Sequence, residues 1–204
     1  SRRFQRRSDE ILRTYGVDPN RPGQLVRFND YRAETGLDTV NWSALGTVSY
    51  AFDGDHKLAL TGLYSRNAEK EGRIITGFNE EQNNDIRDER LRFVNRALQY
   101  VQLRGEHRFR SLNAAQLTWA GLHARATLSD PDLRETVYVN DPQAGYSYRE
   151  STQSGQHFYA AQGETTRSAG FDWLQPVSKG DRPVSLKAGG LATLRGRSFN
   201  ARRF

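Results

Sequence analysis

The chain has 204 residues, a formal net charge of +6, and neither cysteine nor methionine. The absence of cysteine excludes disulfide frameworks and thiolate metal sites, and the absence of any apolar run near about 18 residues excludes a transmembrane helix. The 30 basic residues, 26 of them arginine, are interleaved with 24 acids rather than gathered on one helix face, which favours a solvated or pore-lining surface over a nucleic-acid interface.

The first residues, Ser-Arg-Arg-Phe, resemble neither an initiator methionine nor the start of a signal peptide. We therefore expect residues 1–204 to be a piece of one domain of a longer protein.

The first hairpin is predicted from residues 41–65. Trp42, Val48 and Tyr50 alternate with small polar residues, which is the period of two that a strand requires. The turn at 53–56 contains Asp-Gly, and residues 57–65 then alternate again, so the pair reads as a β-hairpin.

The second hairpin is predicted around the turn at 110–113. Long polar side chains alternate with apolar ones from residue 101 to residue 109, which requires that one face of the strand meets water. The return strand, 114–127, loses its alternation at Leu122 and Arg125, which indicates either a bulge or the exit of the strand from an apolar layer.

The third hairpin is predicted around the turn at 176–183. Residues 159–173 and 184–195 both alternate, although Arg167 falls on the otherwise apolar face. Polar stretches lie before the first hairpin, at 8–40, and between the hairpins, at 71–90 and 129–154. We interpret all three as long loops.

Short turns at one end of a sheet and long loops at the other are typical of an outer-membrane β-barrel. The aromatic residues agree with this interpretation, because they precede each short turn, as interfacial girdles do. These residues are Tyr50, Phe52, Phe109, Phe171 and Trp173.

No catalytic, cofactor-binding or metal-binding residue is predicted. The four histidines lie in different segments without ligand-like spacing, and the acids of the predicted loops read as solvated charge. No nucleophile motif and no glycine-rich phosphate loop occurs, so nothing in the sequence argues for an enzyme.

Several segments resemble the barrel of TonB-dependent outer-membrane receptors. The clearest are residues 57–66 followed by Gly-Phe-Asn-Glu at 77–80, and residues 90–98 leading into 102–107; residues 130–138 and 186–190 fit the same pattern. The resemblance covers most of the chain, but its motifs are those of barrel strands and include no ligand-binding residue.

The resemblance implies an all-β, antiparallel segment of a 22-stranded barrel with a plugged lumen, of which this chain supplies about six to seven strands. It also implies a location in the outer membrane of a Gram-negative cell, contact with outer-membrane lipid, and energy coupling to the TonB complex through an N-terminal part that lies outside this chain. The ligand would be a small molecule or an oligosaccharide, such as an iron chelate, cobalamin or a glycan.

Five charged residues are predicted to face the lumen, since a basic residue facing lipid at the midplane of a bilayer costs about 2–4 kcal/mol. They are Arg104, Glu106, Arg108, Lys187 and Arg195. The sequence leaves two other functions open: a passive porin-like or adhesin barrel, and a soluble arginine-rich β-protein that binds acidic polymers.

Overall fold

The computed structural model describes residues 2–18, 21, 23–150, 154–178 and 183–204. In these ranges the only helical element is a 3-10 turn at Arg110–Leu112. The strands are β1 (Arg2–Val17), β2 (Leu25–Ala51), β3 (His56–Asn79), β4 (Asn84–Phe109), β5 (Ala115–Asp141), β6 (Gly145–Tyr148), β7 (Gln156–Ser178) and β8 (Val184–Arg203). The described residues contain no helix long and apolar enough to cross a membrane.

Seven long strands form one antiparallel sheet in the order β1-β2-β3-β4-β5-β7-β8, and the short β6 pairs with β5 beside this path. The predicted all-β antiparallel architecture is therefore confirmed, with seven long strands instead of six and part of a seventh. The sheet is open, because β1 and β8 are its two edges.

The short turns lie where the sequence places them. β2 and β3 are joined by residues 52–55, where the Asp53 carboxylate accepts hydrogen bonds from the backbone of Asp55 and His56, both at 2.8 Å. β4 and β5 are joined through the 3-10 turn and Asn113, which adopts a left-handed conformation with φ of 55°. In the third predicted turn, 176–183, residues 179–182 lie outside the described part of the chain.

The prediction of long loops is wrong. Residues 8–17, 25–40 and 71–79 belong to strands, as do residues 84–90 and 129–141, so the hairpin between β3 and β4 closes through residues 80–83 alone. Parts of the predicted loops, at residues 19, 20, 22 and 151–153, lie outside the described residues.

These segments read as loops because they are polar on both faces. A period of two is visible in a sequence only when one face of the strand is apolar, whereas here cross-strand ion pairs occupy the surface. Arg3 and Asp38, for example, approach to 2.6 Å between β1 and β2. The sheet therefore continues through these segments by pairing between strands, although their hydropathy does not alternate.

The register assigns every side chain to one of two faces, since directly opposed residues of antiparallel strands share a face and successive residues alternate. We name face A the face that carries Leu58, Leu103 and Leu186, and face B the face that carries Arg104 and Lys187. The half of the sheet next to the short turns is the proximal half, and the other is the distal half.

A bulge interrupts the distal half at Asp130–Leu133, where β5 has one residue more than β4 and β7. Pro131 lies within it, which agrees with the confinement of proline in sheets to edges and bulges. The bulge considered near Leu122 and Arg125 is absent, because β5 pairs with β4 without interruption from Ala115 to Ser129.

The few buried side chains of the distal half point to face B. They include Ala33, Ile86, Val94 and Leu133, of which Val94 is 1% exposed. Side chains are therefore more crowded on face B of the distal half than on face A.

Candidate functional site

The proximal half of face A carries a continuous surface of apolar and small side chains, which we name the apolar band. Its members are Trp42, Ala44, Gly46, Val48, Tyr50, Leu58, Leu60, Gly62, Tyr64, Val101, Leu103, Gly105, Phe109, Ala115, Leu117, Trp119, Gly121, Ala169, Phe171, Trp173, Leu186, Ala188, Gly190, Ala192 and Leu194. They include all three tryptophans of the chain. Val48 and Leu194 are each 73% exposed. A contiguous apolar surface of this extent marks contact with a second apolar phase, either protein or lipid.

The height of the band matches a membrane strand. On β2 it runs from Trp42 to Tyr50 and on β8 from Leu186 to Leu194, nine residues in each case. A transmembrane strand that is tilted in the bilayer has about 9–11 residues.

The short turns are staggered along the sheet. The first hairpin closes at Lys57. Lys57 belongs to a row of directly opposed residues that crosses the sheet and includes Glu106 on β4 and Asp172 on β7. The second hairpin closes three residues beyond that row, at Phe109, and the third closes six residues beyond it, at Ser178. The offset is therefore three residues at each step from one hairpin to the next, and each step crosses two strand spacings.

This stagger defines an angle. The offset is about 1.5 residues per strand, which is about 5 Å along the strand at about 3.3 Å per residue, and neighbouring strands are about 4.8 Å apart. The three turns therefore lie at the same height along a barrel axis when the strands tilt by about 45° from that axis. Strands of transmembrane barrels tilt by about 35–45°. The register alone thus reproduces the tilt that a membrane barrel needs.

Aromatic side chains meet at the proximal margin of the apolar band, as the sequence predicts. The rings of Phe109 and Trp173 lie 5.8 Å apart between centroids, and those of Tyr50 and Phe52 lie 4.9 Å apart. The indole of Trp119 donates a hydrogen bond of 3.0 Å to Nε2 of His107. The polar tips of the tyrosine and the two indoles suit a boundary between an apolar and an aqueous phase.

The five residues predicted to face a lumen all lie on face B, but they do not form one cluster. Arg104 pairs with Glu106 at 3.0 Å along β4. Lys187 on β8 lies 3.7 Å from Asp172, and Arg195 lies 3.4 Å from Glu164. Arg108 completes the set on β4. Three of the four basic residues are thus compensated by an acid, Arg104 along its own strand and Lys187 and Arg195 across to β7.

A shallow groove of about 620 Å³ lies beside Arg104. Ala120 and Gly170, which oppose each other on β5 and β7, leave it open because their side chains are so small. Gln102 and Asp172 also line it. The groove offers an arginine, a carboxylate and an amide to anything that lies against face B.

The distal half of face B holds a second charged cluster, which sequence reasoning missed. Arg73 on β3 lies 3.9 Å from Asp88 on β4 and 3.7 Å from Glu135 on β5, while Arg90 lies 4.0 Å from Glu71. These residues come from three strands and up to 64 positions apart in sequence. Only the register brings them together, so no local pattern announces them.

Asp130 anchors this cluster at the bulge. Its residue surface is 2% exposed, and one carboxylate oxygen accepts a hydrogen bond of 2.8 Å from Nε of Arg92. The other oxygen, Oδ1, has no partner in the described part of the chain. The one sequence signal for this arrangement is Pro131, since proline within a central strand indicates a bulge.

The pKa of Asp88 is raised to about 6. Burial of the carboxyl is the largest cause, and the charge of Glu135 adds to it, whereas Arg73 and Arg90 act in the opposite direction. Face B of the distal half therefore contains a carboxyl that changes its charge near neutral pH.

The distal half of face A is covered by arginine–carboxylate pairs. Between β1 and β2, Arg7 contacts Glu34 at 3.1 Å and Arg13 contacts Asp30 at 3.0 Å. The guanidinium of Arg3 holds the pKa of Asp38 below its usual value by a direct hydrogen bond. This part of face A is a hydrated surface, unlike the apolar band further along β2.

The described residues contain no group of three or more histidine and acidic side chains placed to hold a metal ion. The surfaces that stand out are therefore the apolar band, the groove beside Arg104 and the distal charged cluster.

No protein-family model and no curated protein sequence matches the chain.

Proposed function

We propose that this chain forms part of the wall of an outer-membrane β-barrel of the TonB-dependent receptor class, which imports a scarce ligand with energy coupled through TonB. The observation that carries the membrane part of the proposal is the coincidence of the apolar band and the stagger of the turns. Both follow from the register, and both have the dimensions of a barrel strand that crosses a bilayer at about 45°.

The open sheet supports a barrel larger than seven strands. Because neighbouring strands alternate in direction, β1 and β8 run the same way, so joining them would create a parallel pair. Bacterial single-chain barrels of this type are antiparallel throughout and have an even number of strands. At least one further strand is therefore required, and the resemblance to TonB-dependent receptors suggests a barrel of 22 strands.

The length of the strands supports an assembly that extends far beyond the bilayer. β2 has 27 residues, and at about 3.3 Å per residue it is about 90 Å long. We propose that the distal half projects outside the cell and that the short turns lie in the periplasm, as short turns do in outer-membrane barrels.

Face B is then the inner wall. Its charges, including Arg104, Glu106, Arg108, Lys187 and Arg195, meet water, the plug or the passing ligand. The ligand would be a small molecule or an oligosaccharide, and the groove beside Arg104 is a place where an anionic group of such a ligand fits. This assignment of the transported class rests on the sequence resemblance.

Two other functions make different predictions. A porin-like or adhesin barrel shares the apolar band but would be encoded without a plug domain and would not depend on TonB. A soluble protein that binds acidic polymers needs free arginines, whereas many arginines of this sheet are paired with acids, as Arg7 and Arg13 are. It would also leave the apolar band in water.

The test combines membrane association with uptake. The protein that contains this chain should float with liposomes in a density gradient and resist extraction by carbonate. The 204-residue chain alone should aggregate without detergent, because two unpaired edges and the apolar band remain uncovered.

In cells, uptake of the ligand should stop when TonB is deleted. Uptake that persists without TonB would support the passive channel, and a monodisperse, cooperatively unfolding chain in plain buffer would contradict the barrel.

A further inference from the structure

Three arginines mark the distal margin of the apolar band on face A. Arg66 lies on β3, Arg125 on β5 and Arg167 on β7, and all three are exposed. The row of directly opposed residues that contains Arg66 includes Thr127 on β5 and Gly163 on β7. Relative to this row, Arg125 lies two residues closer to the short turns and Arg167 lies four residues closer. The three residues therefore descend across the sheet in the same direction as the short turns, and they run roughly parallel to the proximal margin.

These arginines differ from those of the distal half. On β1 the guanidinium groups of Arg3, Arg7 and Arg13 each contact a carboxylate of β2. Arg125 and Arg167 form no ion pair with any residue in the described part of the chain. Arg66 donates a hydrogen bond of 3.0 Å to the neutral side chain of Asn95.

Two of them are close neighbours. Arg167 on β7 is directly opposite His123 on β5, and Arg125 lies two residues beyond His123 on β5. The two arginines are therefore diagonal cross-strand neighbours, with Cα atoms about 7–8 Å apart. The partners of Arg125 on the adjoining strands are Gln99 and Thr165, which carry no charge. Long side chains at diagonal positions are within reach of each other, so one anion can contact both guanidinium groups.

The side chains below the pair are apolar. The next row of face A toward the short turns consists of Leu103, Gly121, Ala169 and Ala192, all within the apolar band. An anion held by the two guanidinium groups would thus have an aliphatic surface directly beneath it. A phosphorylated lipid has this composition, with phosphate at the membrane surface and hydrocarbon below.

We propose that Arg125 and Arg167, with Arg66 further along the margin, bind the phosphate of a lipid head group in the outer leaflet. The guanidinium fork matches two phosphate oxygens, and both arginines project where head groups lie if the apolar band spans the bilayer. The proposal rests on the proposed membrane function, and it adds a specific lipid site that fixes the height of the barrel in the bilayer.

The experiment measures lipid binding to the folded protein that contains this chain, purified in an uncharged detergent. Phosphatidic acid and phosphatidylcholine are titrated in separate samples, and bound lipid is counted by native mass spectrometry. The variant Arg125→Gln/Arg167→Gln should lose roughly 30-fold in affinity for phosphatidic acid, since each basic residue at the surface contributes about one factor of five. The matched control, Arg7→Gln/Arg13→Gln, removes two paired arginines from the same face and should change the affinity by less than about threefold.

Two further samples make the result decisive. Arg125→Lys/Arg167→Lys keeps the charge but loses the planar fork and should recover part of the affinity, and inorganic phosphate at the same concentration should not displace the lipid. The proposal is overturned if the Gln variant binds like the wild type, if the Lys variant is as weak as the Gln variant, or if inorganic phosphate competes fully. Failure of the proposed function looks different, because the wild-type protein would then not float with liposomes at all.

Discussion

On β2, face A presents Trp42, Val48 and Tyr50 near the short turns, and Asp30, Glu34 and Asp38 toward the other end. The first three are large and exposed, and none of them contacts a carboxylate among the described residues, whereas each of the three acids contacts an arginine of β1. One strand therefore supports two surfaces that need different surroundings. Strand pairing along β2 is continuous while the character of face A changes from apolar to charged, which is the pattern that the proposed membrane-crossing wall requires.

The largest expected effect comes from reversing the faces in the proximal half. Leu103→Arg places a charge in the apolar band, and at the midplane of a bilayer this costs about 2–4 kcal/mol. Arg104→Leu, one residue along the same strand, changes face B and should leave insertion intact. The measurement is the fraction of the protein recovered in outer membranes. The opposite ranking of the two variants would show that the faces are assigned wrongly.

The next effect distinguishes face B from face A within the distal half. Asp130→Ala leaves the guanidinium of Arg92 without its 2.8 Å partner in a crowded place and should destabilise the folded protein by about 1–3 kcal/mol. Asp132→Ala is the matched control, because Asp132 lies in the same bulge but its side chain is 41% exposed and pairs with Arg134 at the surface. Denaturant unfolding in detergent measures both, and equal losses would contradict the buried role of Asp130.

The pH dependence of stability separates the inner distal cluster from the outer ion pairs. The folded pKa of Asp88, about 6, is above its ordinary value of 3.8, so its contribution is fully present below pH 3.8 and is lost as the pH rises through 6. The paired carboxylates of face A act in the opposite sense, because the pKa of Asp38 is lowered and its contribution is lost as the pH falls.

Asp88→Asn isolates the first of these contributions. The difference in unfolding free energy between the variant and the wild type should grow in favour of the variant from pH 4 to pH 7, as measured by denaturant unfolding at several pH values. Asp85→Asn, at an exposed position on face A of the same strand, is the control, because it removes a carboxyl that is not buried. A difference for Asp88→Asn that does not change with pH would contradict the assigned burial.

The smallest expected effect is that of a single outer pair. Arg3→Gln removes one member of the Arg3–Asp38 pair, and because the arginine is 64% exposed the midpoint of unfolding should stay within measurement error. Raising the salt concentration should be equally ineffective. A clear loss of stability would mean that the outer surface is less hydrated than the comparison requires.

Much of the proximal half could be predicted from the sequence. The turn chemistry at Asp53-Gly54 and the alternation around Leu103 depend on neighbours in the chain, so a local pattern reports them correctly. The predicted charged residues, from Arg104 to Arg195, also fall on one face, because the period of two fixes parity within each strand.

The distal half could not be predicted in the same way. Its strands are polar on both faces, so the hydropathy pattern that identifies a strand is missing, and the ladder of hydrogen bonds is invisible in a single sequence. The cluster of Arg73, Asp88 and Glu135 depends on the register of three strands, and the burial of Asp130 depends on a bulge. Arg167 is instructive, because the sequence marked it as an exception and the register places it on the apolar face beside Leu194.

The central claim is that the apolar band faces hydrocarbon, and the three tryptophans test it most directly because all of them belong to the band. The protein that contains this chain is reconstituted with lipids that carry bromine on the acyl chains, and the fluorescence of Trp42, Trp119 and Trp173 is followed in single-tryptophan variants. All three should be quenched strongly by the brominated lipid and weakly by iodide in the aqueous phase. Strong quenching by iodide with little effect of the brominated lipid would show that face A lies in water or against protein, and would contradict the account.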